Sequence, residues 1–192
     1  MLNALESSAL AVLWLLLPAY VANSIATLPK GRGPPMDFGR PWPGDGRHVL
    51  GPSKTWSGFL FGGFVAIPVG LLEAWLILLA PPNLQLVPRL AGTVVAAIPV
   101  VAVLTFGAMT GDALGSFVKR RLGRESGART LFLDQLPFVL VPIALGLLFY
   151  PALFVGVFDS GEAVLWLLVY TLGLHAAFNW VGYKAGVKKV PW

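Results

Sequence analysis

Long stretches with few or no acidic and basic residues are the feature that most constrains this chain. Four of them carry no charge, and a fifth is interrupted only by Glu73. As helices rising ~1.5 Å per residue, stretches of this length cross the ~30 Å hydrocarbon core of a bilayer. We therefore predict an all-α integral membrane protein, a single membrane domain over residues 1–192 with five transmembrane helices. The predicted spans cover residues about 7–28, 56–80, 90–112, 135–158 and 163–183.

Composition supports this fold class and limits the available chemistry. With 56% apolar and only 12% charged residues, the chain fits neither a soluble domain nor a disordered one. It contains no cysteine, which excludes disulfides and thiolate metal sites and leaves oxygen ligands or the two histidines, His48 and His175. Glu73 lies either near the membrane interface or inside the helix bundle.

The distribution of lysine and arginine predicts the orientation. All of them except Arg89 fall in two loops, at about 29–55 and 113–134, or in the C-terminal tail. The positive-inside rule then places the N-terminus outside, and both loops, the C-terminus and an active site on the cytoplasmic face of the cell membrane. The net charge of +5 is therefore one-sided and does not indicate a nucleic-acid partner. The cations counted on the cytoplasmic side are Lys30, Arg32, Arg40, Arg47, Lys54, Lys119, Arg120, Arg121, Arg124, Arg129, Lys184, Lys188 and Lys189.

The segment Gly111–Gln135 reads GDALGSFVKRRLGRESGARTLFLDQ and concentrates the charged chemistry. Asp112 follows one apolar run and Asp134 precedes the next, with five cations between them. Two carboxylates beside a basic cluster can hold a divalent metal and a polyphosphate. If the third span continues as a helix, Asp112, Ser116 and Lys119 share one face. The alternatives are a solvated helix end with an incidental ion pair, and helix capping by Asp134.

The loop before the second span is rich in proline and glycine, so we predict irregular structure for it. It is longer than a connection requires and carries apolar residues that can pack. It ends in GPSKTWSG, where Ser53 or Thr55 can cap a helix beside Lys54. Amide groups at a helix N-terminus together with a lysine form a phosphate site, although the glycine spacing is not that of a Walker A loop.

Two further spacings occur inside the spans. Gly107, Gly111 and Gly115 are four residues apart in the third span, a spacing that lets helix backbones approach closely. Gly58 and Gly62 repeat the spacing in the second span. In the fifth span His175 and Asn179 lie on one helical face, and we interpret this pair as interhelical hydrogen bonding rather than as ligands.

Several of these blocks, in this order, resemble the archaeal CDP-archaeol synthases, relatives of the phosphatidate cytidylyltransferases. The blocks are PPMDFGR, GPSKTWSG, GDALGSFVKRR and LDQ, which together fall within residues 23–136. The wider family has an Asp, then S-x-x-K-R, then a second acidic block. In bacterial members that block has two acids around an arginine, whereas here Asp134 is followed by Gln135. The resemblance implies that CTP and 2,3-bis-geranylgeranyl-glyceryl phosphate give CDP-archaeol and pyrophosphate, with Mg²⁺ required.

The resemblance also implies roles for individual residues. Asp112 and Asp134 are the predicted metal ligands and, together with Lys119, the predicted catalytic residues. The residues predicted to bind the CTP phosphates are Lys54, Thr55, Ser116, Lys119 and Arg120. Further candidates for binding or for ordering the loop are Asn23, Asp37, Arg40 and Arg121. The lipid phosphate substrate is expected to keep its chains in the bilayer.

Two other functions remain open from the residues alone. A CTP-dependent lipid kinase would transfer the γ-phosphoryl group instead of the cytidylyl group. A small transporter would use Glu73 and His175, the ionisable residues inside the spans. No GxSxG, HExxH or cysteine nucleophile is present, so a hydrolase of those classes is excluded.

Overall fold

The computed structural model describes residues 4–29, 31–81, 86–126 and 130–186. Within them the chain forms helices joined by loops and no β-strand, apart from isolated bridges in the long loop between Pro35 and Thr55 and between Pro41 and His48. The predicted all-α class is thus confirmed for the described residues. The helices are α1 (Ala4–Ile25), α2 (Trp56–Val65), α3 (Ile67–Leu79), α4 (Val94–Arg121), α5 (Leu131–Gln135), α6 (Pro137–Phe149), α7 (Pro151–Phe158) and α8 (Gly161–Lys184).

Four segments of the described chain are long and apolar enough to cross a membrane. They are Leu5–Ile25, Trp56–Leu79 (α2 with α3), Val94–Arg121 and Gly161–Lys184, while α6 is a shorter apolar helix. A multi-pass membrane protein follows from these lengths and compositions. The five-span count and the orientation remain predictions. Four of the cations counted for that orientation, Lys30, Arg129, Lys188 and Lys189, lie outside the described residues.

Local sequence sets where the helices begin. Thr55, Thr93 and Ser160 are N-caps, and each side-chain oxygen accepts a hydrogen bond from the backbone N–H three residues later. The predicted cap at Thr55 is confirmed. The predicted extension of the third span is also confirmed, because α4 continues through Lys119 to Arg121.

The predicted span 135–158 is not one helix. Pro137 begins α6 and Pro151 begins α7, and proline favours the first helical turn while it disfavours helical geometry in the residue before it. The break between α6 and α7 falls at Tyr150, which has φ −136° and ψ 51°.

Helix α4 lies at the centre of the bundle and packs against α1, α2, α3, α5 and α6. Its glycines permit the closest of these approaches. A Cβ on Gly107 would lie 2.9 Å from Cα of Pro142, and one on Gly115 would lie 2.7 Å from the carbonyl oxygen of Leu133. A Cβ on Gly111 would overlap the carbonyl group of Pro137. The predicted packing role of these glycines is confirmed.

Glu73 lies inside the bundle, on α3, with only 4% of its surface exposed. Neither carboxyl oxygen has a hydrogen-bond partner among the described residues. The predicted position of Glu73 inside the helix bundle is therefore confirmed. The carboxyl group is outside the cavity described below.

We expect Gly111→Ala to destabilise the protein, because its methyl group would push α4 away from the start of α6. Overpacking of this kind costs about 1–3 kcal/mol, against a gain of up to ~1 kcal/mol in helix propensity. The thermal unfolding midpoint of detergent-purified protein measures the effect. Gly173→Ala on α8 is the matched control, since no atom lies within 4 Å of a Cβ built there. Equal midpoints for the two variants would contradict this packing.

Candidate functional site

A cavity of about 750 Å³ opens between α1, α2, α4, α5 and α8 and the end of the long loop. Its charged lining residues among the described chain form two pairs, Lys54 with Asp112 and Lys119 with Asp134. Other polar side chains in its wall are Tyr20, Asn23, Ser24, Thr27, Ser53, Thr55, Ser116, Gln135, His175 and Asn179. The remaining lining is largely apolar, including Ile25, Phe59, Met109, Phe138 and Phe178. The cavity therefore combines a charged wall with apolar helix surfaces.

The first pair joins the long loop to α4. Lys54 precedes the N-cap Thr55, and its Nζ lies 2.5 Å from Oδ2 of Asp112. Hydrogen bonds within the loop hold the main chain at Lys54, because the Lys54 N–H donates to the Gly51 carbonyl and the Lys54 carbonyl accepts from the Met36 N–H. Thr55 in turn accepts from the Gly58 N–H, so the lysine stands at the positive end of α2.

The second pair joins α4 to α5. Lys119 donates through Nζ to Oδ1 of Asp134, and its side chain is mostly buried. The other oxygen of Asp134 accepts from the backbone N–H of Thr130, the N-cap of α5, at 2.7 Å. Asp134 therefore does cap its helix, which was one predicted alternative, and it also lines the cavity.

Of the remaining predicted binding residues, some line the cavity and some do not. Ser116 is buried on the cavity wall of α4, between Asp112 and Lys119, and Asn23 lines the wall from α1. Arg120 is buried near Gly51 and does not line the cavity. Arg40 is exposed and outside the cavity, and its backbone N–H and carbonyl form hydrogen bonds within the loop.

Arg121 holds the loop against the end of α4 and is outside the cavity. Its guanidinium pairs with Asp45 at 2.7 Å and donates to the carbonyl of His48. It also lies over the rings of Trp42 and Phe117, at 5.4 and 5.2 Å from their centroids. The loop is thus ordered and packed on α4 by ion-pair and cation–π contacts.

Asp37 organises the same loop from within. It is buried, and its carboxylate accepts hydrogen bonds from the backbone N–H groups of Gly39, Leu50 and Gly51. Burial alone would raise the pKa of Asp37, but these three N–H groups and the nearby His48 outweigh it and hold the pKa below its ordinary value. Of its two predicted roles, loop ordering fits this geometry, since Asp37 does not line the cavity.

The sequence did not indicate that two residues of α8 line the cavity. Asn179 is buried, its side-chain amide lies 3.0 Å from Nδ1 of His175, and both residues line the cavity opposite α4. The ring of His175 stacks near Phe138, with centroids 6.1 Å apart. The contact between the two side chains lies along α8. Spacing showed that they share a face, but not which face meets the cavity.

Gln135 was noted only as a departure from the family pattern. It is buried, lines the cavity next to Asp134, and its Oε1 has no hydrogen-bond partner among the described residues. An unpaired buried amide oxygen is costly unless a ligand satisfies it. Gln135 is therefore a candidate ligand-binding residue.

The donor set fits a magnesium ion that is shared with a substrate. Among the described residues no group of three or more His, Cys, Asp or Glu side chains could hold a metal. Mg²⁺ in nucleotide sites commonly takes one or two carboxylates, substrate phosphate oxygens and water rather than an all-protein cage. Asp112 and Asp134 supply two hard oxygen donors, and each already holds a cation, the ammonium group of a lysine.

Known proteins are similar to this chain over nearly its whole length. The family model described as CarS-like, CDP-archaeol synthase, matches residues 1–192. A CDP-archaeol synthase of Thermococcus gammatolerans is 40% identical over 186 residues, which cover 97% of this chain and 98% of the relative. One of Methanoculleus marisnigri is 41% identical, with 92% of this chain and 100% of the relative covered.

One solved structure is also similar. It is described as an intramembrane enzyme for archaeal membrane lipids biosynthesis, and it aligns with a TM-score of 0.60 at 34% identity. The alignment covers 86% of this chain and 93% of that chain. The sequence comparisons and the structural comparison therefore agree on the kind of protein to which this chain is similar.

We expect Asp37→Asn to loosen the loop near neutral pH. Hydrogen bonds to a charged group are worth about 1.5–3 kcal/mol, so exchange of the Leu50 and Gly51 amide hydrogens should accelerate at least about tenfold. Because the pKa of Asp37 is lowered, the stabilisation is present above its ordinary pKa and is lost as pH falls through the lowered value. Hydrogen–deuterium exchange against the exposed control Asp159→Asn measures this. Unchanged protection in Asp37→Asn would contradict it.

Proposed function

The chain belongs to the CDP-archaeol synthase family, and we propose that its reaction takes place in the cavity lined by the two lysine–aspartate pairs. The protein transfers the cytidylyl group of CTP to the phosphate of an unsaturated archaeal ether lipid and gives CDP-archaeol and pyrophosphate. The lipid kinase and transporter alternatives find no support in these relatives. We propose 2,3-bis-geranylgeranyl-glyceryl phosphate as the lipid substrate.

One observation carries the choice of this cavity. Both carboxylates predicted from the sequence line it, and each is next to a lysine. The lipid phosphate oxygen has to attack the α-phosphorus of CTP while pyrophosphate leaves on the opposite side. Most of the barrier is electrostatic repulsion and positioning, and a phosphate monoester near neutral pH is already largely ionised, so no strong base is needed.

The cations of the cavity suit the leaving group. Lys54 and the N-terminus of α2 lie together on one wall, and Lys119 lies on α4 two helical turns beyond Asp112. Ammonium groups and helix N-termini both stabilise phosphate oxygens. Thr55 and Ser116 add hydroxyl groups to the same walls. These residues would hold the triphosphate and stabilise the charge that develops on pyrophosphate.

Asp112 and Asp134 would hold Mg²⁺. When bound, Mg²⁺ neutralises phosphate charge and orients the attacking and leaving oxygens. Asp134 is fixed for this task by the Thr130 N–H, and Asp112 is fixed by its place within the long helix α4. Ser116 lies between Asp112 and Lys119 on the cavity side of that helix.

The apolar part of the cavity suits the lipid. Ile25 on α1, Phe59 on α2 and Phe178 on α8 line it, and α8 is the least buried of the candidate spans, with 17% of its most apolar window buried. A lipid could keep its chains in the bilayer beside α8 while its phosphate enters the polar end. The glycerol end would then meet His175 and Asn179.

The proposed topology has five spans, with α6 and α7 together making the fourth. The N-terminus would be outside, and the long loop, the basic end of α4 and the C-terminus would be in the cytoplasm, where CTP is available. Arg89, the lone cation assigned to the outer side, precedes α4 at the end opposite Lys119. This arrangement supports an active site on the cytoplasmic face of the cell membrane.

We expect Asp112→Asn and Asp134→Asn each to lower the synthesis of CDP-archaeol by more than a hundredfold, because each removes a proposed metal ligand. Detergent-purified protein, CTP labelled at the α-phosphate, Mg²⁺ and the lipid phosphate are incubated, and CDP-lipid is measured by mass and by label. Asp159→Asn, an exposed acid outside the cavity, is the matched control.

Wild-type rates in either variant would refute the proposed site. Thermal unfolding of the same preparations separates lost chemistry from lost folding. A lipid product that gains the mass of a phosphoryl group but carries no label from the α-phosphate would instead identify a kinase. Omission of Mg²⁺, with a chelator present, tests the proposed metal, and full activity under that condition would contradict it.

A further inference from the structure

We infer that Lys54 and Lys119 exchange partners when substrate binds. In the free protein each ammonium group neutralises an aspartate, and it moves to the phosphates when CTP arrives with its divalent cation. Until the nucleotide arrives with the divalent cation, the two ammonium groups thus occupy the positions at Asp112 and Asp134 that the cation would take. This inference rests on the proposed function of the cavity, and it adds the order in which the charged side chains pair with each other and then with the substrate.

Charge balance is the first observation behind it. The cavity's two lysines and two aspartates, its charged lining residues within the described chain, give the wall no net charge. A free divalent cation gains little from such a wall, because it must displace an ammonium group and leave it unpaired in a partly buried site. Breaking one partner away from a buried ion pair is strongly unfavourable. CTP with its divalent cation supplies a new partner for both members of each pair.

In each pair, the lysine is the member that can move. Asp134 is anchored by the Thr130 N–H as well as by Lys119. Asp112 is on a continuous helix, α4, that packs against five neighbouring helices. Lysine, by contrast, carries its charge on a flexible four-carbon stem. The carboxylates therefore stay in place, and the ammonium groups travel.

The third observation concerns where the lysines can go. The side chain of Lys54 is 22% exposed and that of Lys119 is 11% exposed, and both line the same cavity. Lys54 is next to the N-terminus of α2, which favours an anion beside it. A triphosphate in the cavity would thus lie within reach of both ammonium groups and of this helix end.

This exchange makes the binding of cation and nucleotide mutually dependent. CTP should tighten the binding of a divalent cation, and the cation should tighten CTP by the same factor. Removing the charge of a lysine should also tighten the binding of the cation when no nucleotide is present. Its aspartate would then be free to bind metal without nucleotide.

The experiment measures Mn²⁺ binding to the full-length detergent-purified protein by electron paramagnetic resonance, with and without CTP and in the absence of lipid phosphate. For the wild type we expect CTP to tighten Mn²⁺ binding at least tenfold. Lys54→Met and Lys119→Met should each bind Mn²⁺ at least threefold more tightly than wild type without CTP, and should show a smaller effect of CTP. Lys184→Met, an exposed lysine outside the cavity, is the matched control and should behave like the wild type.

Two results would overturn the exchange. One is Mn²⁺ affinity in both Lys54→Met and Lys119→Met that is no greater than in the wild type without CTP. The other is a wild-type Mn²⁺ affinity that CTP does not change. If methionine prevents purification, glutamine at the same position replaces it, and the two lysines provide independent trials.

The activity assay of the aspartate variants separates this inference from the proposed function. Inactive Asp112→Asn and Asp134→Asn together with unchanged Mn²⁺ affinity in the lysine variants would overturn the exchange and leave the site in place. Full activity in the aspartate variants would contradict both the proposed site and the proposed exchange of partners.

Discussion

The structure depends on the neutralisation of four charges within a cavity whose walls are membrane helices. Helix α4 supplies one member of each pair, an acid at Asp112 and a base at Lys119, two turns further along. Their partners come from separate parts of the chain, the long loop and α5. The two ion pairs therefore also join the loop and α5 to α4, so that the same contacts contribute to the fold and to the site.

Backbone packing brings the acid of α5 within reach. Gly115 on α4 lets the carbonyl of Leu133 approach, and Asp134 is the next residue. Gly111 similarly admits the backbone of Pro137 at the start of α6. The glycine spacing and the position of Asp134 look unrelated in the sequence. In the structure, the small size of Gly115 permits the close approach that places Asp134 beside α4. A larger residue at Gly115 would separate Lys119 from its carboxylate.

Much of this could be predicted from the sequence, because membrane helices leave long uncharged stretches and because Asp112, Ser116 and Lys119 recur at helical spacing. The pairing of Lys54 with Asp112 could not, since it depends on how the loop folds around Asp37 and Arg121. The break at Tyr150 and the cavity-facing side of His175 and Asn179 were also missed. Periodicity groups residues on a face, but the neighbours of that face are set by tertiary packing. Arg120 was assigned to phosphates from its motif alone, and its burial beside Gly51 places it outside the cavity.

The isolated carboxyl group of Glu73 has a consequence for how the protein is made. The segment Trp56–Leu79 is otherwise uncharged, and its most apolar 18-residue window has a mean hydropathy of 2.0. Charged side chains at the centre of a membrane helix cost about 2.5–3.5 kcal/mol on insertion scales, so acidic residues in spans usually face protein rather than lipid. Helix α3 packs against α1, which is synthesised before it, and against α4, which follows. The acid is therefore shielded from lipid only once α1 and α4 have packed around α3, so this packing favours the insertion of the span that carries it.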